Sequence, residues 1–187
     1  MIFIALLRGI NVSGQKIIKM TDLKTLCEGL AFTDVQTYIQ SGNIVFRSSL
    51  NSSEKIGKQL ELAIEKHYGF EVPICIFTLA DFTSILEKNK LYTKEKENQL
   101  YLTYLNGEAD FTLQQDIETK KVEGDEILFS SKAVYLYVSQ GYGKTKLTNV
   151  LIENKLKVKA TTRNWKTSGK LLEMAQELDK KQLISSK

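Results

Sequence analysis

Residues Ile2 to Leu7 form an unbroken apolar run that stops at Arg8-Gly9, the pattern of a short strand buried on both faces. A polar loop, Arg8 to Gln15, follows. Thr21 stands where a helix N-cap is expected, ahead of Leu23, Leu26, Cys27 and Leu30 on one face and Gly29 near the stop. Val35, Thr37 and Ile39 alternate as a strand, Ser41-Gly42-Asn43 interrupts, and Ile44-Val45-Phe46 returns, which predicts a hairpin. Asn51 with Glu54 reads as a capping box for a helix carrying Ile56, Leu60, Ala63, Ile64 and His67 on its core side and ending at Gly69. Pro73 then precedes a strand from Ile74 to Leu79.

This β-α-β-β-α-β order is that of a ferredoxin-like split arrangement. A helix from Ala80 to Lys88 and the charged stretch Lys90 to Glu97 follow. Thereafter the order is repeated in weaker form. A strand is predicted over Leu100 to Leu105, a helix over Phe111 to Thr119, and a hairpin from Ile127–Phe129 and Ala133–Val138. A helix over Lys146 to Leu156, a truncated strand at Val158 to Ala160 and a terminal helix from about Thr162 to Leu178 complete it. The expected class is α+β, with a ferredoxin-like first half and a degenerate second copy that adds a C-terminal helix. The expected boundaries are 1–80 for the first domain, 81–98 for a connecting helix and charged linker, and 99–187 for the second domain.

That topology has a consequence for the loops. With the third strand between the first two, the loop leaving strand one and the turn joining strands two and three emerge from one end of the sheet, about 10 Å apart. Arg8, Asn11 and Lys19 are thereby expected beside Gln40, Ser41 and Asn43. The same logic places Gln140-Gly141-Tyr142-Gly143-Lys144, with Lys146, beside Thr161-Thr162-Arg163-Asn164-Trp165.

Charge sharpens this picture. The chain of 187 residues carries a formal +4, yet Lys132 to Lys170 holds eight Lys and Arg163 against Glu153, a local +8. Clustered positive charge concentrates anionic ligands. Of three arginines among 26 basic residues, Arg8 and Arg163 sit in polar loops beside Gly or Asn, where a planar guanidinium fork suits carboxylate or phosphate. The competing reading pairs each arginine with a nearby acid or a helix carbonyl. Trp165 is either a stacking surface for a base or a core anchor of its amphipathic helix, the second being the commoner role.

Metal-based and Walker-type chemistry is not expected. One histidine leaves no zinc constellation, and two cysteines, Cys27 and Cys75, make neither a disulfide framework nor a metal cluster. No metal and no cofactor is expected. Gly143-Lys144-Thr145 lacks the earlier glycine of a phosphate-binding P-loop, that position being Val138. The apolar N-terminus is too short for a signal peptide and no run reaches the ~20 apolar residues of a membrane span, so a cytoplasmic protein is expected.

Taken together, Leu6-Leu7-Arg8-Gly9-Ile10-Asn11-Val12, Lys19-Met20-Thr21-Asp22-Leu23, Tyr38-Ile39-Gln40-Ser41-Gly42-Asn43-Ile44-Val45-Phe46 and Ala160-Thr161-Thr162-Arg163-Asn164-Trp165-Lys166-Thr167 resemble the bacterial domain of unknown function 1697 family. The resemblance spans nearly the whole chain and implies an α+β fold with two ferredoxin-like-related parts. It implies no activity. Val12-Ser13-Gly14 departs from the family's more usual pair of glycines after Val.

The leading expectation is a binding module for an anionic ligand, either a phosphate-bearing small molecule or nucleic acid, with no membrane partner. Its candidate ligand residues are Arg8, Asn11, Lys19, Gln40, Ser41 and Asn43 on one wall and Lys144, Lys146, Arg163 and Asn164 on another. Two alternatives stand beside it: a metal-independent small-molecule enzyme, and a structural or protein-interaction module.

Overall fold

The computed structural model describes residues 1–185, with side chains described as far as Lys181. The fold is α+β, with two four-stranded antiparallel sheets. Among the described residues no helix is long and apolar enough to cross a membrane.

The first sheet is built from β1 (Ile2–Leu7), β2 (Thr33–Tyr38), β3 (Asn43–Arg47) and β4 (Ile74–Thr78) in the order β2-β3-β1-β4. Helix α1 (Met20–Gly29) connects β1 to β2, and α2 (Ser53–Tyr68) connects β3 to β4. β1 is central because it alone of the four is apolar at every position, and all six of its residues are buried. Its alternate residues Phe3, Ala5 and Leu7 pack with Leu23 and Cys27 of α1 and with Ile56, Leu60 and Ile64 of α2. Each large side chain so buried contributes about 1.5–3 kcal/mol.

The second sheet repeats the order as β6-β7-β5-β8. It comprises β5 (Leu100–Asn106), β6 (Glu126–Phe129), β7 (Ala133–Tyr137) and β8 (Lys159–Asn164). Its helices are α4 (Gln114–Glu118) and α5 (Asn149–Leu156), with Ile117, Ile152 and Leu156 buried against Leu105, Val134, Leu136 and Ala160. Helix α3 (Leu79–Glu87) lies between the two sheets in sequence, and α6 (Trp165–Ser185) ends the described chain.

Contacts divide the chain into two units, Met1–Thr83 together with the residues from Lys170 onward, and Ser84–Gly169. Helix α6 therefore begins in the second unit and passes into the first. There the Leu178 carbonyl accepts a hydrogen bond from Arg47 Nη2.

Several element ends differ from the sequence reading, each for a local reason. Helix α1 starts one residue before Thr21, so Thr21 lies inside its first turn and Lys19 holds the N-cap position. The cap of α2 is Ser52, whose hydroxyl accepts from Lys55 N at 3.3 Å, one residue after Asn51. Helix α5 begins only at Asn149, because Thr148 caps it by accepting from Leu151 N at 3.2 Å. The largest change is β8: the strand runs on to Asn164, where a helix start was expected. Thr161, Thr162 and Arg163 find ladder partners in Tyr104, Thr103 and Leu102, and β-branched threonines suit a pleated strand better than a helix.

Candidate functional site

In the first unit the Arg8–Ile18 loop is stitched to the β2–β3 turn. Asn11 adopts φ +54°. Its Nδ2 donates to Ile18 O at 2.9 Å and to Gln40 O at 2.7 Å, while its Oδ1 accepts from Ile18 N at 2.9 Å. Leu7 N donates to Gly42 O at 2.8 Å. Gly42 itself, at φ +72°, is pressed against the loop so closely that a Cβ there would stand 2.6 Å from Ile10 Cδ1. The two segments thus meet, as the topology requires.

Their polar groups are largely committed to holding that meeting. Asn43 is fully buried, and its Nδ2 donates to Tyr38 O and Ser41 Oγ, both at 2.9 Å. Arg8 is half-buried and its backbone N–H donates to Pro73 O at 2.9 Å. Gln40 contributes its carbonyl, and Lys19 is exposed at the start of α1. The loop tip Val12-Ser13-Gly14-Gln15 is a tight hairpin turn, with Gln15 N donating to Val12 O at 2.9 Å and both central residues at positive φ.

In the second unit the loop after β7 and the end of β8 are likewise brought together. Tyr142 Oη donates to Thr162 Oγ1 at 3.1 Å, and its ring lies against Tyr101 with centroids 4.8 Å apart. Thr162 also bonds Thr103 Oγ1 at 2.8 Å and donates to Asn149 Oδ1 at 3.1 Å. Asn149 Nδ2 in turn donates to Ala160 O at 2.9 Å. Burial pushes the Tyr142 phenol up from its ordinary value, partly offset by its bond to Thr162. This polar cluster ties the start of α5 to β5 and β8. Sequence reasoning placed Thr162 beside this loop as part of its segment but missed Thr103 and Asn149, because single threonines and asparagines carry no spacing signal.

Next to that clamp, Lys144 closes a turn by donating its N–H to Gly141 O at 3.1 Å, Lys146 follows two residues later, and both side chains are exposed. Arg163 does not join them. Strand alternation puts it on the opposite sheet face from Thr162. It is 8 % exposed, and its Nη1 donates to Thr161 Oγ1 at 2.8 Å and Thr162 O at 2.9 Å. Asn164 is exposed and caps α6, its Oδ1 accepting from Thr167 N at 2.7 Å.

The +8 stretch divides in space. Leu105 N donates to Lys132 O, and Lys159 is opposite Asn106, so Lys132, Lys157 and Lys159 belong to the far end of β5. Lys144, Lys146 and Lys166 belong to its near end, where Val138 N donates to Gln99 O and Asn164 pairs with Tyr101. Six residue steps of strand separate the ends by about 20 Å. Lys155 and Lys170 are engaged by Asp116 at 2.6 Å and Glu173 at 2.9 Å.

His67 is exposed and not core-facing, because the buried series Leu60, Ile64 continues to the half-buried Tyr68 at the next helical step. It borders an open groove of about 460 Å³ with Asp22, Thr25, Leu26, Gly29 and Leu30. Trp165 is half-buried, with its ring stacked on Tyr92. Cys27 and Cys75 are both buried. Among the described residues no group of three or more His, Cys, Asp or Glu is placed to hold a metal ion.

A two-sheet α+β chain is a class shared by many functions. The chain belongs to the DUF1697 family, a protein family of unknown function, whose pattern matches residues 1–135. Among solved structures it is similar to a conserved bacterial protein from Streptococcus pneumoniae, at 24% identity and a TM-score of 0.75, over 93% of this chain and 98% of that one. That likeness concerns the fold. A search of curated proteins finds no match.

Proposed function

We propose that the protein is a cytoplasmic binding module for a phosphate-bearing anion, and that the loop Gln140–Leu147 of the second unit makes the contact. The observation that supports this best is the clamp at Tyr142 and Thr162, which fixes a lysine-bearing loop immediately before α5. Backbone N–H groups at a helix start favour negative charge, and Lys144 and Lys146 add two mobile cations. Lys166 stands at the same sheet end. The first-unit loops are less suited, since Asn11 and Asn43 spend their amides on the fold.

Binding to a single-stranded oligonucleotide and to inorganic polyphosphate, titrated against salt, tests the reading. The logarithm of affinity for the strand should fall with the logarithm of salt by roughly 0.7 per phosphate neutralised. A Lys144→Ala, Lys146→Ala double variant should flatten that slope by about 1.4. Binding that ignores ionic strength, or absence of binding at low salt, refutes it.

A further inference from the structure

The ring of Tyr92 stacks on Trp165 with centroids 4.8 Å apart and planes inclined by 27°, yet Tyr92 remains 41 % exposed. A stacked aromatic pair normally hides its rings in a core. This one sits on the rim of the second unit, at the end of the sheet already described. Tyr92 lies in the segment leading into β5, and Trp165 directly follows Asn164, which pairs with Tyr101 near the start of that strand. The turn carrying Tyr92 is fixed: Asn89, 8 % exposed, accepts Leu91 N at Oδ1 (3.1 Å) and Tyr92 N at its carbonyl (3.4 Å). The ring is therefore presented by an ordered turn.

Its electrostatic setting is basic. From Glu87 to Glu97 the segment holds four lysines against Glu87, Glu95 and Glu97, and Lys144, Lys146 and Lys166 add to it at the same sheet end. Lys88, Lys90 and Lys94 are exposed, Lys94 lying 3.9 Å from Glu97, while Lys96 is paired with Glu126 and set over the Tyr137 ring. Lys166, exposed, follows Trp165 in sequence. An exposed aromatic plane among cations that track a backbone is the combination by which proteins hold unpaired bases without reading their sequence. A duplex keeps its bases stacked on one another and has no use for such a plane.

We infer that the Tyr92–Trp165 stack is a base-stacking platform, so that the anion bound at this end of the second unit is single-stranded nucleic acid. The inference rests on the anion-binding reading above and adds the class of ligand. Bases stack on the open face of Tyr92 while Lys144, Lys146 and the lysines flanking Tyr92 meet the phosphates.

Trp165 is the only tryptophan in the chain, so its emission reports on the platform directly. The experiment compares oligothymidylate, an abasic strand of equal length, and a duplex. Oligothymidylate should quench Trp165 and bind on the order of tenfold more tightly than the abasic strand. Tyr92→Ala should erase that preference while leaving the salt slope unchanged, and Tyr92→Phe should restore it. Equal affinity for normal and abasic strands with an intact salt slope, or preference for the duplex, overturns the platform and leaves the anion reading standing. Failure of every strand to bind at low salt overturns both. The strand comparison uses the unaltered protein, so it decides the matter even where Tyr92→Ala misfolds.

Discussion

At Gly42 the chain has no room for a side chain. A Cβ would stand 2.6 Å from Ile10 Cδ1 and 2.7 Å from Leu7 Cβ, at a φ of +72° that other residues adopt only with strain. Gly42→Ala is expected to destabilise the first unit by about 2 kcal/mol or more, seen as a lowered denaturation midpoint. Ser13 is the converse case. It takes φ +50° at a turn position beside Gly14, a conformation that glycine adopts without strain. Ser13→Gly should raise stability by roughly 0.5 kcal/mol. Cys27 supplies a pH signature. Burial, with a smaller contribution from Glu28, pushes its thiol from 9.0 up to about 12. Between those values the unfolded chain loses a proton that the folded chain keeps, so stability is intact below pH 9 and declines as pH rises toward 12. Denaturation of wild type and Cys27→Ala across that window should show a shallower alkaline decline in the variant.

Among elements, those carried by hydrophobic period were legible and those carried by polar pairing were not. The apolar run of β1 and the Leu23–Cys27 and Ile56–Leu60–Ile64 spacings were sufficient to place a strand and two helices. β8 was legible only as far as Ala160, because Thr161-Thr162-Arg163-Asn164 is polar in composition and gains its identity from pairing with β5. The same gap hid the candidate site. Convergence of the loop after β7 with the end of β8 followed from topology, whereas the Tyr142–Thr162–Asn149 bonding that fixes it depends on contacts no spacing encodes. Arg163 was misplaced in the expected wall for a related reason: once its segment is a strand, alternation turns it away from Thr162. Tyr142→Phe removes the hydroxyl that bonds Thr162 and the Asn149 backbone, each bond worth about 1 kcal/mol. Slower-exchanging amides in residues 140–148 should become less protected on hydrogen exchange, and oligonucleotide affinity should drop with them.

Over the whole molecule the two sheets share one strand order, β2-β3-β1-β4 and β6-β7-β5-β8, although no residue-level repeat links their sequences. Element order alone made that duplication readable, since a fold tolerates wide substitution while its pattern of strands and connections is kept. The duplicates have diverged in use of charge. In the first unit the rare arginine Arg47 bonds Asp34 at 2.9 Å and the Leu178 carbonyl, a structural duty. In the second, lysines gather at two sheet ends about 20 Å apart, the near end beside the Tyr92–Trp165 stack and the far end beside the half-buried Phe111–Phe129 pair. Charge reversal at the far end, Lys157→Glu with Lys159→Glu, should therefore alter strand affinity far less than Lys144→Glu with Lys146→Glu, a comparison a single binding series resolves.

Because the first unit draws on two segments separated by the whole of the second, a ribosome releases its components far apart in time. The opening 83 residues emerge early and wait, lacking the acceptor that Arg47 finds on Leu178, until the final helix has been synthesised. The intervening unit has everything it needs in one continuous segment. A released chain truncated after residue 169 should thus protect its middle from protease while its beginning is still digested.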